Sequence, residues 1–161
     1  MKHLVVSDSS SLIALLNINQ LELLKRFFSS VIVPSMVAEE VERGLAQDSS
    51  WFALKQQGYI SVQILKDDSR LVLLNLQLDP GESEAILLAD QLDLPLLIDE
   101  KAGRKIAKDM GVCIQGLVGV LYALKQASHI SHEETALIVN ALDQVKFRMS
   151  ASLRSLLLDT K

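Results

Sequence analysis

The sequence predicts an α/β fold, a three-layer α/β/α sandwich around a central, mostly parallel sheet. Short apolar runs alternate with helical patterns along the chain, which is the order that builds a parallel sheet with helices on both faces. The runs LVV, VIV, LLI and VCI are apolar throughout, as expected for strands that are covered on both sides. The length of 161 residues and the 49% hydrophobic content suit one domain with a substantial core.

The first half of the chain alternates between the two kinds of element. HLVVS is a β-branched apolar run and predicts a buried strand that ends near Asp8. VIVP predicts a second buried strand, closed by Pro34. SMVAEEVERG then predicts a helix with Ser35 near its start and Gly44 as its C-terminal cap. Further helices are predicted at SSLIALLNI, LELLKRFF and WFALKQQG, and an edge strand at YISVQIL.

The second half continues the pattern. SRLVLLNLQL predicts a helix, Pro80 and Gly81 mark a turn, and another helix begins at about Glu82. LPLLID predicts a buried strand with Asp99 at its end, and EKAGRKIAKDMG a helix that ends at Gly111. VCI predicts a short strand, and helices are predicted at GLVGVLYALKQ, EETALIVNALDQV and SASLRSLLL. We interpret residues 1–161 as a single domain with a helical C-terminal extension from about residue 130.

Composition excludes several classes of protein. The formal net charge of -4 argues against coating nucleic acid by bulk charge, although a local basic patch remains compatible with it. The single cysteine, Cys113, rules out an intrachain disulfide and a zinc cluster of the CxxC type, and we interpret it as a small buried residue. The histidines His3, His129 and His132 have no metal-ligand spacing. No secretory signal or bilayer-length apolar run is evident, so the sequence predicts a cytoplasmic protein without a membrane partner.

Carboxylates follow the predicted strands. Asp8 follows the first strand, and Asp99, with Glu100 beside it, ends a later one. Ligands of open parallel sheets bind beyond the carboxyl ends of the strands, so we expect these acids at one edge of the sheet. Four separate segments thus direct acids to one region: Asp8; Glu40; Glu82 and Glu84; Asp99 and Glu100.

Such a cluster is costly without a cation. Two like charges about 4 Å apart repel by roughly 4 kcal/mol at the effective dielectric near a protein surface. A divalent metal removes this conflict, and Mg²⁺ and Mn²⁺ prefer carboxylate and water oxygens. A metal site of this kind can activate water against a phosphodiester and stabilise the leaving oxygen. The pattern therefore favours metal-dependent hydrolysis without a catalytic histidine.

Each acid also has a purely structural interpretation. Asp8 before SSSL is compatible with a helix N-cap or an Asx-turn. Glu40 is compatible with a solvated helix face. Glu82 and Glu84 suit the positive end of a helix dipole, and Asp99 suits the start of the next helix in the same way. Individual residues do not decide between these interpretations, whereas their joint placement at strand ends favours a site.

With these residues identified, the chain resembles a PIN domain, in particular the bacterial and archaeal branch related to the toxin nucleases of toxin–antitoxin pairs. The matching pieces are VVSDSSSLIALL, VIVPSMVAEEVERG, GESEAILLADQLDLPLLIDEKAGRKIAKDMGV and GLVGVLYALKQ. They occur in this order from about residue 4 to residue 126, whereas the chain after about residue 130 matches less clearly. The ordered series is far more specific than any single piece.

The resemblance implies a ribonuclease site that depends on Mg²⁺ or Mn²⁺. The implied catalytic acids fall on Asp8, Glu40, Glu84 and Asp99, with Glu100 as the alternative for the fourth. The implied metal ligands are Asp8, Glu84, Asp99 and Glu100. The chain departs from the family pattern in having glutamate at position 84, where aspartate is common, and LLIDE in place of a Thr-x-Asp pattern. The implied supporting residues are Ser9, Ser10 and Glu82.

A basic stripe follows the last pair of acids. Lys101, Arg104, Lys105 and Lys108 are spaced to share one face of a helix. The stripe predicts phosphate contacts that lead RNA into the acidic site, although a solvated helix face is the structural alternative. Aromatic residues make up only 4% of the chain, so we do not expect a platform on which bases stack.

Three functions compete for this pattern. The first is a metal-dependent endoribonuclease, with RNA as substrate, the toxin role that the resemblance implies, and an antitoxin protein that covers the acidic cleft. The second is a PIN-like module that binds nucleic acid or a partner with weak or no catalysis. The third, a phospho-accepting receiver domain, fits poorly because Asp8 is followed by serines and VIVP ends without an aspartate. Apolar residues of LIALL and SLLL suit either a homodimer surface or the core.

Overall fold

Five parallel strands form the central sheet, in the order β3-β2-β1-β4-β5. The structure is a computed structural model and describes residues 2–159. Helices flank the sheet, which confirms the predicted α/β class. The strands are β1 His3–Ser7, β2 Phe28–Pro34, β3 Ile60–Gln63, β4 Leu96–Leu97 and β5 Ile114–Gln115.

The helices occupy most of the remaining chain. A 3-10 helix, Leu21–Arg26, precedes β2. The α-helices are α1 Ser9–Asn17, α2 Ser35–Glu42, α3 Ser50–Gln56, α4 Arg70–Asn75, α5 Pro80–Leu92, α6 Lys101–Asp109, α7 Leu117–Gln126, α8 His132–Gln144 and α9 Ala151–Leu158. Within residues 2–159, none of these helices is long and apolar enough to cross a membrane.

The register of the sheet aligns the ends of its strands. β1 lies in the centre, where Val6 pairs with Ile32 on one side and with Leu96 on the other. Val5 and Val6 are both fully buried although they point to opposite faces, because helices cover both sides of the sheet. The carboxyl ends of β1 and β4 therefore meet at one edge, and the residues that follow them lie close together.

Two helix boundaries in the structure differ from the predicted ones. The helix predicted to begin at Glu82 begins at Pro80 instead, because the Asp79 side chain accepts a hydrogen bond of 2.8 Å from the Glu82 backbone N–H and proline suits a first helical position. The predicted helix LELLKRFF is a 3-10 helix that ends at Arg26, and Phe28 already belongs to β2.

The prediction of a buried Cys113 is wrong, because its side chain is exposed. The strand predicted over VCI is only Ile114–Gln115, and it forms the outer edge of the sheet. An outer strand is covered less completely than a central one, so the apolar character of VCI did not place the cysteine in the core. YISVQIL is the edge strand that the sequence predicted, as β3.

The C-terminal helices share the hydrophobic core. Ile138 and Val139 of α8 are buried, and Leu157 of α9 is fully buried. The Lys125 Nζ on α7 donates to the backbone carbonyls of Leu157, at 2.6 Å, and Asp159. A lysine that donates to the last carbonyls of a helix compensates its unpaired C-terminal groups, so α9 is fixed against α7.

Candidate active site

Asp8 is a buried carboxylate at the centre of the edge where the strands end. Its side chain is 1% exposed, and its backbone N–H donates 3.0 Å to the Leu97 carbonyl of β4. It precedes α1, but its side chain makes no capping hydrogen bond. The Ser10 hydroxyl lies 3.5 Å from Oδ2, and Oδ1 has no hydrogen-bond partner among the described residues. The N-cap interpretation therefore does not explain this side chain.

Glu82 is a second buried carboxylate at the same place. It is 7% exposed, and its Oε2 also lacks a hydrogen-bond partner within residues 2–159. The pKa of Glu82 is raised to about 8, mainly by burial and also by the side-chain contact with Asp79 and the charges of Asp79 and Asp8. Burial likewise raises the pKa of Asp8 to about 7, with contributions from the charges of Asp79, Glu40 and Glu100. Three acidic neighbours, Asp79, Glu40 and Glu100, thus act on one buried pair.

Two glycines allow the acids to approach. A Cβ added at Gly81 of α5 would lie 2.8 Å from Cδ and 2.9 Å from Oε2 of Glu40. A Cβ added at Gly103 of α6 would lie 2.7 Å from Oε2 of Glu82. Ser9 donates to Oε2 of Glu40 at 2.6 Å, so this carboxylate is held in place and does not form a solvated helix face. Glycine at both positions keeps space for a carboxylate.

Asp99 is held by two donors on different elements. The Ser11 hydroxyl of α1 donates to Oδ2, and the Leu117 backbone N–H at the start of α7 donates to Oδ1 at 3.0 Å. Burial raises the pKa of Asp99, whereas these two donors and the Arg104 charge oppose the rise. Asp99 therefore connects the end of β4 to α1 and α7 and has a fixed orientation.

Glu84 lies apart from this group. Its Oε1 accepts a hydrogen bond of 3.2 Å from the Met36 backbone N–H at the start of α2. Residues two positions apart on a helix do not face the same way, so Glu82 and Glu84 of α5 cannot both face Asp8. The structure places Glu82, predicted as a supporting residue, near enough to Asp8 for the Asp8 charge to raise the pKa of Glu82, and it places Glu84 at the N-terminus of α2. The predicted metal role of Glu84 has no support from this placement.

The basic stripe divides into two parts. Lys101, Lys105 and Lys108 are exposed, and Lys105 lies 3.5 Å from Asp109 in a solvated ion pair. Arg104 is half-buried and turns toward Asp99 and Gly116. Only Arg104 of the predicted stripe thus reaches the acidic group.

Sequence reasoning missed Asp79 and Ser11. Asp79 begins D-P-G-E, in which an N-cap residue is followed three positions later by glutamate, a signature of a helix start. This signature would have placed Asp79 and Glu82 together at the beginning of α5. Ser11 lies in the first turn of α1, and its partner Asp99 is 88 positions away in the sequence, so no local signal connects the two residues. Three consecutive serines follow Asp8, and the sequence alone does not show which hydroxyl contacts which acid.

The donor chemistry of the group fits a divalent cation. Two buried carboxylate oxygens without partners, Asp8 Oδ1 and Glu82 Oε2, are hard ligands of the kind that Mg²⁺ and Mn²⁺ bind. The raised pKa values show that like charges and burial act against ionisation, which a cation reverses. In the part of the chain that the structure describes, no three Asp, Glu, His or Cys side chains are already arranged to hold an ion.

The fold and the site together define an α/β protein with a buried acidic centre at the carboxyl ends of its strands. The sequence matches a family model described as a PIN domain over residues 4–160, so the chain belongs to this PIN domain family, as the resemblance predicted. PIN domains are generally nucleases, which are hydrolases, and they typically use divalent metal ions.

One solved structure similar to this chain is a PilT N-terminus domain protein from the hyperthermophilic archaeon Sulfolobus solfataricus P2. The two share 17% sequence identity with a TM-score of 0.43, and the alignment covers 92% of this chain and 97% of that chain. No curated protein matches the sequence.

Proposed function

We propose that this chain is a cytoplasmic, metal-dependent endoribonuclease that hydrolyses RNA phosphodiester bonds with Mg²⁺ or Mn²⁺. The observation that carries the proposal is the buried pair of Asp8 and Glu82, in which each carboxylate has one oxygen without a partner within residues 2–159. A protein core does not retain two unpaired acids without a compensating gain. Membership of a PIN domain family supports the reaction class.

The acids have distinct roles in this proposal. Asp8, Glu82 and Asp99 would hold the metal ion, with Glu100 at the exposed side. When bound, the ion would lower the pKa of water and stabilise the charge that develops on the phosphate. Without it, Asp8 and Glu82 are partly protonated near neutral pH, because burial raises the pKa of Asp8 to about 7 and contributes most to the raised pKa of Glu82, about 8. Ser11 and the Leu117 N–H orient Asp99 for its role.

Glu40 contributes to the same centre from α2. Its carboxylate is fixed by Ser9 and packs against Gly81, and its negative charge raises the pKa of Asp8. We assign the third acid of the site to Glu82 and give Glu84 a structural role, because Glu84 accepts the Met36 N–H at the start of α2. Glu84 thereby positions the helix that carries Glu40.

The decisive experiment replaces Asp8 by asparagine. We expect Asp8→Asn to abolish cleavage of a single-stranded RNA in the presence of Mn²⁺ or Mg²⁺. Its thermal unfolding should remain near that of the parent or rise, because the substitution removes a buried charge that its neighbours repel. Glu133→Gln on the exposed face of α8 is the matched control and should cleave like the parent. Equal cleavage by Asp8→Asn and the parent would refute the proposal.

A PIN-like binding module without significant catalysis is the second candidate. It is favoured by the absence, among residues 2–159, of three side chains already placed as metal ligands. Titration calorimetry with Mn²⁺ separates the two candidates. Heat of binding that is lost in Asp8→Asn supports the nuclease, whereas no detectable binding at millimolar Mn²⁺ supports the module.

The toxin role, the antitoxin partner and the homodimer are supported only by the family resemblance and by exposed apolar surface. Within LIALL, Leu12 and Leu15 are fully buried, so this segment belongs mainly to the core. The most exposed large apolar side chains include Ile64, Val72 and Leu76, which surround α4. Sedimentation equilibrium of the purified chain tests the homodimer, and a monomer at high micromolar concentration would contradict it.

A further inference from the structure

Arg104 is half-buried beside Asp99, and its charge acts on Asp99 although no hydrogen bond joins the two side chains within residues 2–159. Among residues 2–159, its side chain makes no hydrogen bond or ion pair, and it is half-buried. The other described arginines are either paired or exposed. Arg26, Arg70 and Arg154 pair with carboxylates, whereas Arg43 and Arg148 are exposed.

The guanidinium lies against Gly116, next to the acidic centre. A Cβ added at Gly116 would lie 2.8 Å from Nη1 of Arg104 and 3.1 Å from Oδ1 of Asp99. Gly116 has φ -110° and ψ 161°, a backbone conformation that any residue adopts. Glycine is therefore required here for space and not for its backbone freedom. We call the guanidinium, Gly116 and the adjoining Asp99 oxygen the Arg104 seat.

The guanidinium N–H groups of Arg104 do not donate to Asp99 and are therefore available to another acceptor. The Asp99 Oδ2 accepts from the Ser11 hydroxyl and its Oδ1 from the Leu117 N–H, and each oxygen keeps a further lone pair that a metal ion can use. The two charges influence each other without a hydrogen bond between them. A planar guanidinium offers five N–H donors in a fork that matches the oxygens of phosphate, so an anion can still bind to it.

We propose that the Arg104 seat binds a phosphodiester of the substrate beside the acidic centre, and that the exposed lysines of α6 do not carry this contact. The identity of the anion as nucleic-acid phosphate rests on the proposed nuclease function. A polyanion that approaches a cluster of carboxylates is repelled, and one fixed cation at the rim of the cluster offsets this repulsion locally. Lys101, Lys105 and Lys108 are exposed point charges, so none of them offers a fixed, partly buried fork of donors like that of Arg104.

The test measures RNA binding without cleavage. A fluorescently labelled single-stranded RNA is titrated in the Asp8→Asn background, and its anisotropy gives Kd at several salt concentrations. We expect Arg104→Ala to raise Kd about tenfold or more and to reduce the salt dependence by about one phosphate contact. Arg104→Lys keeps the charge but loses the fork, so its Kd should lie between those of Arg104→Ala and its background.

Two matched controls separate the seat from bulk charge and from misfolding. Arg148→Ala removes the same charge at an exposed position and should change Kd by less than about twofold. Gly116→Ala keeps every charge but displaces the guanidinium, so it should raise Kd, whereas Gly119→Ala, with no atom within 4 Å of the added Cβ, should not. Thermal unfolding of each variant verifies that it is folded.

The contradicting outcomes are specific. The proposal is wrong if Arg104→Ala binds RNA as well as Arg148→Ala does, or if replacing all three lysines by alanine weakens binding as much as Arg104→Ala. It is also wrong if Arg104→Ala leaves RNA binding intact but weakens binding of polyglutamate, because the seat would then recognise protein carboxylates. If Asp8→Asn still cleaves RNA while Arg104→Ala weakens RNA binding, the proposed metal-dependent nuclease site at Asp8 is wrong, whereas the proposed phosphate binding by Arg104 is supported.

Discussion

At the scale of single residues, two glutamates of α5 have opposite environments. Glu82 is 7% exposed and its Oε2 has no partner among the described residues, whereas Glu84 is partly exposed and accepts the Met36 N–H. A buried carboxylate without donors is unfavourable unless something binds it, and a carboxylate at a helix N-terminus is favourable by itself. We therefore propose that Glu82 takes part in the reaction and that Glu84 stabilises the start of α2.

This division predicts opposite effects of two substitutions. Glu82→Gln should reduce RNA cleavage at least about tenfold, because it removes a proposed metal ligand, and should leave thermal stability similar or higher. Glu84→Ala should lower the free energy of unfolding by about 0.5–2 kcal/mol through the lost acceptor at α2. Paired cleavage assays and denaturant titrations measure both effects. Loss of cleavage only in Glu84→Ala would contradict the assignment.

The stability of the metal-free protein should depend on pH in a defined direction. The Asp8 pKa is about 7 in the folded protein against an ordinary value of 3.8, so the folded state holds a proton that the unfolded state has released. The free energy of unfolding therefore falls as pH rises between about 4 and 7. Glu82, with a folded pKa of about 8, extends this fall to higher pH.

The measurement compares the parent with Asp8→Asn in a chelating buffer at pH 5 and pH 8. Tm of the parent should be lower at pH 8, and the decrease should be smaller in Asp8→Asn. Addition of Mn²⁺ should raise Tm of the parent at pH 8 more than that of the variant, since the ion binds the ionised acids of the folded state. A parent that gains stability toward pH 8 as strongly as the variant does would contradict the raised pKa.

The sequence located some of these residues but not their partners. Asp8 and Asp99 could be placed at the carboxyl ends of strands because consecutive buried β-branched or leucine residues identify the strands directly. The choice between Glu82 and Glu84 depends on the rotational phase of α5, which follows from its start at Pro80 and its packing on the sheet. Tertiary packing determines that phase, and composition does not reveal it.

At the scale of elements, glycines on α5 and α6 let two helices carry acids to one point. Gly81 lies under the Glu40 carboxylate and Gly103 under that of Glu82. Glycine inside a helix costs about 0.5–1 kcal/mol relative to alanine, so its presence at both positions indicates a requirement for space. Glycine at these positions lowers the intrinsic stability of α5 and α6 but leaves space for the two carboxylates.

Alanine substitutions test this requirement. Gly81→Ala and Gly103→Ala should both reduce cleavage, because the added Cβ would lie 2.8 Å from Glu40 Cδ and 2.7 Å from Glu82 Oε2, respectively. Gly119→Ala on the exposed side of α7 is the control and should raise stability by about 0.5–1 kcal/mol without loss of cleavage. If all three variants cleave like the parent, the glycines do not shape the site.

Elements were predictable where the local signal was strong. The apolar runs of β1 and β2, and Ser35 and Gly44 as the signals that bound α2, correspond to the observed elements. The strands β4 and β5 contain two residues each, and their length is set by pairing with neighbours and not by composition. For the same reason the sequence could not show that Cys113 precedes an outer strand.

At the scale of the whole molecule, strand order explains why the acids meet. β1 lies between β2 and β4, so Asp8 after β1 is next to Asp99 after β4 and next to α2, which follows β2. The C-terminal helices α8 and α9 pack on α7 and on each other and contribute buried residues such as Leu157 to the core. The site and the C-terminal helices thus share one hydrophobic core.

A shared core predicts that α9 unfolds with the sheet. Leu157→Ala should lower the free energy of unfolding by about 2–5 kcal/mol and keep a single transition, because it creates a cavity in the common core. Leu156→Ala, at a side chain that is 44% exposed, is the control and should have a small effect. Calorimetric unfolding measures both. Two separate transitions, or an unchanged Tm in Leu157→Ala, would show that α9 is an independent appendage.

The most direct test of the proposed centre is anomalous diffraction from crystals soaked in Mn²⁺. We predict a peak within about 2.5 Å of carboxylate oxygens of Asp8 and Glu82, with Asp99 or Glu100 completing the contacts. The peak should be absent from Asp8→Asn crystals soaked in the same way. A Mn²⁺ peak bound to Glu84 without Glu82, or no peak near Asp8 at millimolar Mn²⁺, would contradict the account.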